Sequence, residues 1–204
     1  MKLEIATHPF PIFTAREFLP ASEYLELKSS FPKSLPMISR DKHLHYSEND
    51  LWNKRFVQRF ESFLKIVFPI ITDLEKEFFF KIPKTRNTTC VSMLATTGYQ
   101  ILPHNDGRNR LLSSMFYFGT EEVEYGGDLV FYEAPNKNGH PHLMEESKVT
   151  EQKEIMRFSP TDNLFVCWLN TYNSYHSVET LKGIRRALYT SLDSTDERIW
   201  GQLC

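Results

Sequence analysis

From Asn49 to about Phe79 the apolar residues return every three or four positions. Trp52, Phe56, Phe60, Phe63, Leu64, Val67, Phe68 and Ile71 fall on one side of a helical wheel. That spacing predicts an amphipathic helix, because 3.6 residues per turn stacks positions i, i+3, i+4 and i+7 on one face. Pro69 is expected to kink this helix or split it in two, since it lacks an N–H and clashes with the preceding turn. An earlier stretch, "FTAREFLPASEYLELKSSFP", has helical spacing at Phe18, Leu19, Tyr24, Leu25, Leu27 and Phe31. Ser22 is placed to cap its second part. Between the two, residues 32–50 are polar, carry two prolines and show no period, so they read as a loop.

After Lys84 the pattern changes. "CVSMLATT", "RLLSSMFYFG", "GDLVFYE", "QKEIMRFS", "LFVCWLN" and "RRALYTSL" are short and rich in β-branched or aromatic residues. Turn formers separate them: Thr97-Gly98, Asn105 to Asn109, Tyr125-Gly126-Gly127, Pro135 to Gly139, Ser159 to Asn163 and Lys182-Gly183. Short strands at this spacing predict a sandwich or barrel, not a parallel sheet. Helices first and strands second is an α+β order, with helices laid on one face of a sheet. The 204 residues fit one domain: residues 1–84 as mainly helical support, 85–204 as a β core. There is no internal repeat.

Composition narrows the class. The formal net charge is −2 with acids and bases mixed along the chain, so no broad basic face for nucleic acid is expected. Cys90, Cys167 and Cys204 are far apart and include no CxxC, which argues against a disulfide framework or a thiolate zinc site. The N-terminus has no signal-peptide pattern, and no run approaches the roughly 20 apolar residues of a membrane span. The expectation is a soluble cytoplasmic protein with reduced thiols.

The candidate chemistry lies in "ILPHNDGRNR" and "YNSYHSVETLKGIRRALYTSL". On a strand, His104 and Asp106 would point to the same side. With His176 they make two imidazoles and one carboxylate, a set that occupies one face of an octahedron and suits non-haem Fe(II) oxygenases. Each residue also has a plainer role: Asp106 can open the "NDGRN" turn, and His176 can be a buried core histidine. His43-Leu44-His45 and His140-Pro141-His142 are comparable pairs without a third ligand in a strand. Arg185 and Arg186 follow Gly183 at the start of an apolar strand. A guanidinium inside a β-barrel is costly unless an anion meets it, and its planar fork suits a carboxylate. Adjacent strand residues face opposite sides, so only one of the two arginines can do this, and composition alone does not choose.

Four segments together resemble a family: "GYQILPHND", "MFYFGTEEVEYGGDLVFYEA", "FSPTDNLFVCWL" and "HSVETLKGIRRALYTSL". They are similar to the 2-oxoglutarate- and Fe(II)-dependent dioxygenases, in particular the prolyl-4-hydroxylase-like branch. HxD, a tyrosine strand, a Gly-Gly-acid-Leu strand, a proline-led Leu-Phe strand, His-x-Val and Gly-x-Arg occur in the family's order. The resemblance covers roughly residues 88–192. It implies a double-stranded β-helix, a jelly-roll or cupin-like core, with N-terminal supporting helices. It implies that His104, Asp106 and His176 are the iron ligands. It further implies that Arg185, rather than Arg186, binds the distal carboxylate of 2-oxoglutarate, with Tyr117 beside it. Tyr99, taken to lie on the strand leading to the HxD, is a pocket-lining tyrosine of the same cofactor site. Gly126 and Gly127 match a turn without chemistry of its own.

The implied reaction consumes O2 and 2-oxoglutarate, releases succinate and CO2, and hydroxylates an unactivated C–H. Ascorbate is an auxiliary reductant that the family admits. Because halogenating relatives lack the carboxylate ligand, Asp106 argues for hydroxylation. The implied substrate is a peptide, a protein, an amino acid or a small metabolite, flanked by the 32–50 loop and the 133–151 insert. The competing reading is a non-catalytic cupin-like module that binds metal or a ligand. Arg185 discriminates between them, since a structural metal site needs no anion pocket.

Overall fold

The computed structural model describes residues 2–34, 37–38, 43–47, 51–77, 80, 82–107, 109–119, 123–133, 153–171 and 173–195. Residues 35–36, 39–42 and 48–50 of the 32–50 segment, nearly all of 133–151, the His140–His142 pair, Cys204 and the side chains of His45 and Trp52 lie outside the described residues, as does Phe79.

Two antiparallel sheets face each other. The larger contains β1 (Lys2–Ala6), β2 (Ile12–Arg16), β3 (Met37–Ile38), β4 (Leu44–Ser47), β5 (Arg86–Thr96), β7 (Arg110–Phe118), β11 (Asp162–Leu169) and β13 (Lys182–Ser194). Their order is β1-β2-β11-β7-β13-β5-β4-β3, and β8 (Val123–Tyr125) pairs with one end of β13. The smaller sheet runs β10 (Glu154–Phe158), β9 (Leu129–Tyr132), β12 (His176–Val178), β6 (Ile101–His104). Strands distant in sequence pair across both sheets, which is the double-stranded β-helix topology with supporting helices packed outside it.

Register explains how one sheet serves two purposes. On β7, β11 and β13, Phe116 is paired with both Phe165 and Leu188, while Met115 is paired with Val166 and Tyr189. Alternation then sends Phe116, Phe165 and Leu188 to the outer face and Met115, Tyr117, Trp168, Arg185 and Tyr189 to the inner one. Both faces of β7 are covered, so "RLLSSMFYF" lacks the polar alternation of a half-exposed strand.

The outer face meets α2 (Leu51–Leu74) and the residues before α1 (Ala21–Ser30). Phe56, Phe60, Phe63, Leu64, Val67 and Ile71 are buried at helical spacing, as the wheel requires. Phe165 is the hub: its ring stacks on Phe18 at 4.2 Å and meets Phe63 edge-on at 4.9 Å. Offset and edge-on geometries of this kind each add about 0.5–1.5 kcal/mol beyond simple burial. Trp168 and Phe131, 5.4 Å apart, join the two sheets from inside.

Several expectations for the first 84 residues need correction. They are not helix alone, because β1 to β4 extend the large sheet on both sides. Ile12, Phe13 and Ala15 pair with β11 and β1, and a paired strand buries them better than a helical turn would. Part of the 32–50 stretch is strand for the same reason: Leu44 to Ser47 pair with β5. Ser22 caps nothing. The helix begins at Ala21 behind Pro20, with no side-chain cap. Pro69 does not split α2, which runs on to Leu74. Val67 and Ile71, buried on either side of it, hold the helix where one backbone bond is lost.

Phe165→Ala should lower unfolding free energy by about 3–5 kcal/mol, read from the urea midpoint at unchanged slope. Ile66→Ala, on the exposed side of α2, should change it by less than about 0.5 kcal/mol.

Candidate metal centre

β6 and β12 are neighbours in the small sheet, and their register puts His104 directly opposite His176. The two rings lie 4.4 Å apart. Asp106 is not on the strand as expected, since β6 ends at His104. It reaches the histidines from the loop that follows. Its Oδ1 is 3.9 Å from His104 Nε2 and its Oδ2 is 3.8 Å from His176 Nε2. The three donor atoms all lie within 4.8 Å of one another.

The histidine tautomers follow from the backbone. His104 Nδ1 is 2.9 Å from the Leu102 carbonyl, and His176 Nδ1 is 3.0 Å from the Ser174 carbonyl. A carbonyl only accepts, so each Nδ1 carries a proton, and Nε2 is the ring nitrogen that each histidine turns toward Asp106. This is the arrangement that metal-binding imidazoles use to fix their rings.

The electrostatics prepare Asp106 and His176 as ligands. Burial alone would raise the Asp106 carboxyl. His176, Arg110, the Ser113 hydroxyl and His104 outweigh it and hold Asp106 below the usual carboxylate range. Burial pushes His176 down and neutral, opposed in part by Asp106. A metal needs an ionised carboxylate and neutral imidazoles, and the surroundings favour those forms at Asp106 and His176.

Asp106 has partners that the sequence reading missed. Arg110 Nη1 donates to Oδ1 at 3.1 Å and Ser113 Oγ donates to Oδ2 at 2.6 Å. Arg110 Nε donates to Asp193 at 2.9 Å, and Ser191 donates to the other oxygen of Asp193 at 2.6 Å. Burial works against the charge on Arg110, but Tyr189, Asp106 and Asp193 more than restore it. A signal for Ser113 was present: consecutive serines inside an apolar strand must find hydrogen bonds when buried.

The same cavity, about 350 Å³, is lined by the three donors and by Arg185, Tyr99 and Trp168. Met93, Met115, Leu129 and Val178 supply apolar wall. Of the two adjacent arginines, Arg185 lines the cavity and is 1% exposed, while Arg186 belongs to the other face of the strand. Arg185 lies 5.3 Å from the Tyr99 ring and 5.9 Å from the Tyr117 ring. Tyr99 is in the turn before β6, not on a strand. Burial raises the Tyr117 hydroxyl to about 12, against the pull of Arg185, so it stays a donor.

Arg185 Nη1 donates to the Gly127 carbonyl at 2.6 Å, so that glycine contributes its main chain rather than a bare turn. Gly126 is required next to it: its φ is +74°, and a Cβ there would lie 2.0 Å from the Thr180 carbonyl oxygen. Arg185 Nε and Tyr117 Oη are buried donors without a hydrogen-bond partner among the described residues. An anion carried into this end of the cavity would satisfy both, and a carboxylate has the right shape.

Of the other histidine candidates, His43 does not join the cluster. The His43 ring lies over the turn at Gly98, 2.9 Å from where a Cβ would sit. Cys90 and Cys167 are buried free thiols. Among the described residues no helix is long and apolar enough to cross a membrane.

No curated protein matches the chain by sequence. Solved structures do resemble its fold. A prolyl-4-hydroxylase from Pseudomonas putida has 14% identity and a TM-score of 0.55, with 90% of this chain and 92% of that one covered. A prolyl hydroxylase from Trichoplax adhaerens, in complex with a hypoxia inducible factor oxygen degradation domain peptide fragment, has 14% identity and a TM-score of 0.55, covering 92% and 85%. HygX from Streptomyces hygroscopicus, with nickel, 2-oxoglutarate and hygromycin B bound, has 8% identity and a TM-score of 0.54, covering 93% and 85%. The sequence profile of the 2OG-Fe(II) oxygenase superfamily matches residues 89–191, the segment that carries the three donors and Arg185, and this chain therefore belongs to that superfamily.

Proposed function

We propose that the protein is an Fe(II)- and 2-oxoglutarate-dependent hydroxylase of an aliphatic C–H in a peptide, a protein or an amino acid. The observation that carries the reading is the buried Arg185, with an unpartnered Nε, in the cavity that also holds His104, Asp106 and His176. A structural zinc site would close on four ligands. Here three donors cluster among the described residues, beside an anion pocket.

In this reading His104, Asp106 and His176 hold iron through two Nε2 atoms and the carboxylate. Arg185 and Tyr117 bind the distal carboxylate of 2-oxoglutarate, and Tyr99 packs against the guanidinium. Bound iron and 2-oxoglutarate supply the oxidising chemistry: with O2 they yield succinate, CO2 and one oxygen atom in a substrate C–H bond. The chain's own part is placement. Arg185 sets the depth and orientation of the co-substrate. The methionine and leucine walls keep water from its middle, which strengthens the charge pairing at both ends. Asp106 fills the third protein position, leaving no place for a halide.

Two of the similar structures are named as prolyl hydroxylases, and one of these holds a peptide. That favours a peptide substrate. Hygromycin B in HygX shows that the fold also serves small molecules. The test is a screen of peptides, free amino acids and small metabolites for succinate release and a mass gain of one oxygen atom. Succinate released with no substrate gaining oxygen would contradict the hydroxylase reading.

His104→Ala, Asp106→Ala and His176→Ala should each abolish succinate formation while the protein stays folded. Wild-type rates in two of the three would remove the ligand assignment. Arg185→Ala should cost about 3–5 kcal/mol of co-substrate binding, or roughly two to three decades in half-saturating 2-oxoglutarate. Arg185→Lys should restore part of this, since it offers charge without the planar fork. Arg186→Ala should matter far less, by at most about 1 kcal/mol. A larger effect at Arg186 would mean that the pocket belongs to the other arginine.

A further inference from the structure

Asp106 is held on its two oxygens by different devices. Oδ1 takes a charged donor from Arg110, and Oδ2 takes the hydroxyl of Ser113. Ser113 is fully buried in the middle of β7. Its oxygen is also 3.0 Å from Asn170 Nδ2 and 3.3 Å from the Tyr189 hydroxyl. Two neighbours in the sheet therefore send a polar group to this one serine of β7: Tyr189 from β13 and Asn170 from just after β11.

The directions of these bonds follow from proton counting. A serine hydroxyl has one proton and two lone pairs. The Asn170 amide nitrogen can only donate, so it occupies one lone pair. The Asp106 carboxylate can only accept, so it takes the proton. One lone pair is left, and Tyr189 must donate to it. If the Asn170 amide were turned over, its oxygen would face an oxygen whose proton is already committed to Asp106. The network has one consistent orientation.

We propose that Asn170, Ser113 and Tyr189 form a one-way hydroxyl relay that aims Ser113 Oγ–H at Asp106 Oδ2 and so fixes how that carboxylate meets the metal. Asn170 and Tyr189 set the orientation of Ser113, and Ser113 sets the orientation of Asp106. All three are positioning residues. Among the described residues the side chain of Asn170 hydrogen-bonds to Ser113 and to none of His104, Asp106 and His176, so its route to a metal runs through Ser113. The inference rests on the reading of His104, Asp106 and His176 as metal ligands.

The test measures Mn(II) affinity by spin-resonance counting of the free ion, without turnover. Ser113→Ala should weaken Mn(II) binding by about 10- to 100-fold, as losses of such supporting partners do. Asn170→Ala should weaken it by about three- to tenfold, the value of one buried hydrogen bond. In the Ser113→Ala background, Asn170→Ala should cost less than about twofold, because the relay is already cut. A merely structural Asn170 would show either no effect on Mn(II) or the same factor in both backgrounds, and either result overturns the relay. If Ser113→Ala does not fold, Asn170→Ala alone decides: wild-type Mn(II) affinity overturns the proposal. His104→Ala separates the two readings. Retained Mn(II) binding in that variant defeats the metal assignment, whereas loss there with full affinity in Ser113→Ala defeats only the relay.

Discussion

A carboxylate taken out of water must be met by donors and positive charge, or it will not stay ionised. Removing it from solvent costs several kcal/mol even after relaxation. Asp106 is in this position, with a side chain 10% exposed between two sheets. Ser113 and Arg110 meet its oxygens, Asp193 balances Arg110, and the two imidazoles face it through Nε2. None of these groups is near another in sequence except within 104–113. The antiparallel pairing of β6 with β12, and of β7 with β13, is what brings them together. The ionised Asp106 and the neutral His176 are then a consequence of where the strands cross.

The second buried charge repeats the logic with one difference. Among the described residues the Arg185 guanidinium has one hydrogen bond, from Nη1 to the Gly127 carbonyl, and two aromatic rings for company. Its remaining buried donor has no protein partner among the described residues. A satisfied structural arginine would not be built this way, because an unmet donor in a dry site lowers stability. The deficit is what a carboxylate ligand would correct. Asp106 is thus completed by the protein, while Arg185 keeps an unmet donor, which in the proposed reading a ligand completes. The outer face of the same strands, packed by Phe116 and Phe165 against α2, carries the stabilising burial that permits this.

Much of this was legible from residue order. The strands from β5 onward announce themselves by β-branched and aromatic runs between turn formers, and alternation alone separates Arg185 from Arg186. The ordered motifs point to the three donors. Other features were not legible, for identifiable reasons. β1 to β4 are short edge or near-edge strands whose composition is set by pairing partners far away in sequence. Asp106 reaches its position from a loop, so the i, i+2 argument gave the right residue for the wrong geometry. Asn170 carries no local signal at all, since its role depends on Ser113 lying on another strand. Gly127 looked like a bare turn because main-chain roles leave no trace in side-chain chemistry.

The central claim is that one cavity joins a metal held by His104, Asp106 and His176 to a carboxylate held by Arg185. Anaerobic addition of Fe(II) and then 2-oxoglutarate tests this directly, through the visible charge-transfer band that arises only when both bind one centre. The account predicts the band in the wild-type protein, its loss in Asp106→Ala, and its appearance only at much higher 2-oxoglutarate in Arg185→Ala. Binding of both components without the band, or an unchanged band in Asp106→Ala, would contradict it.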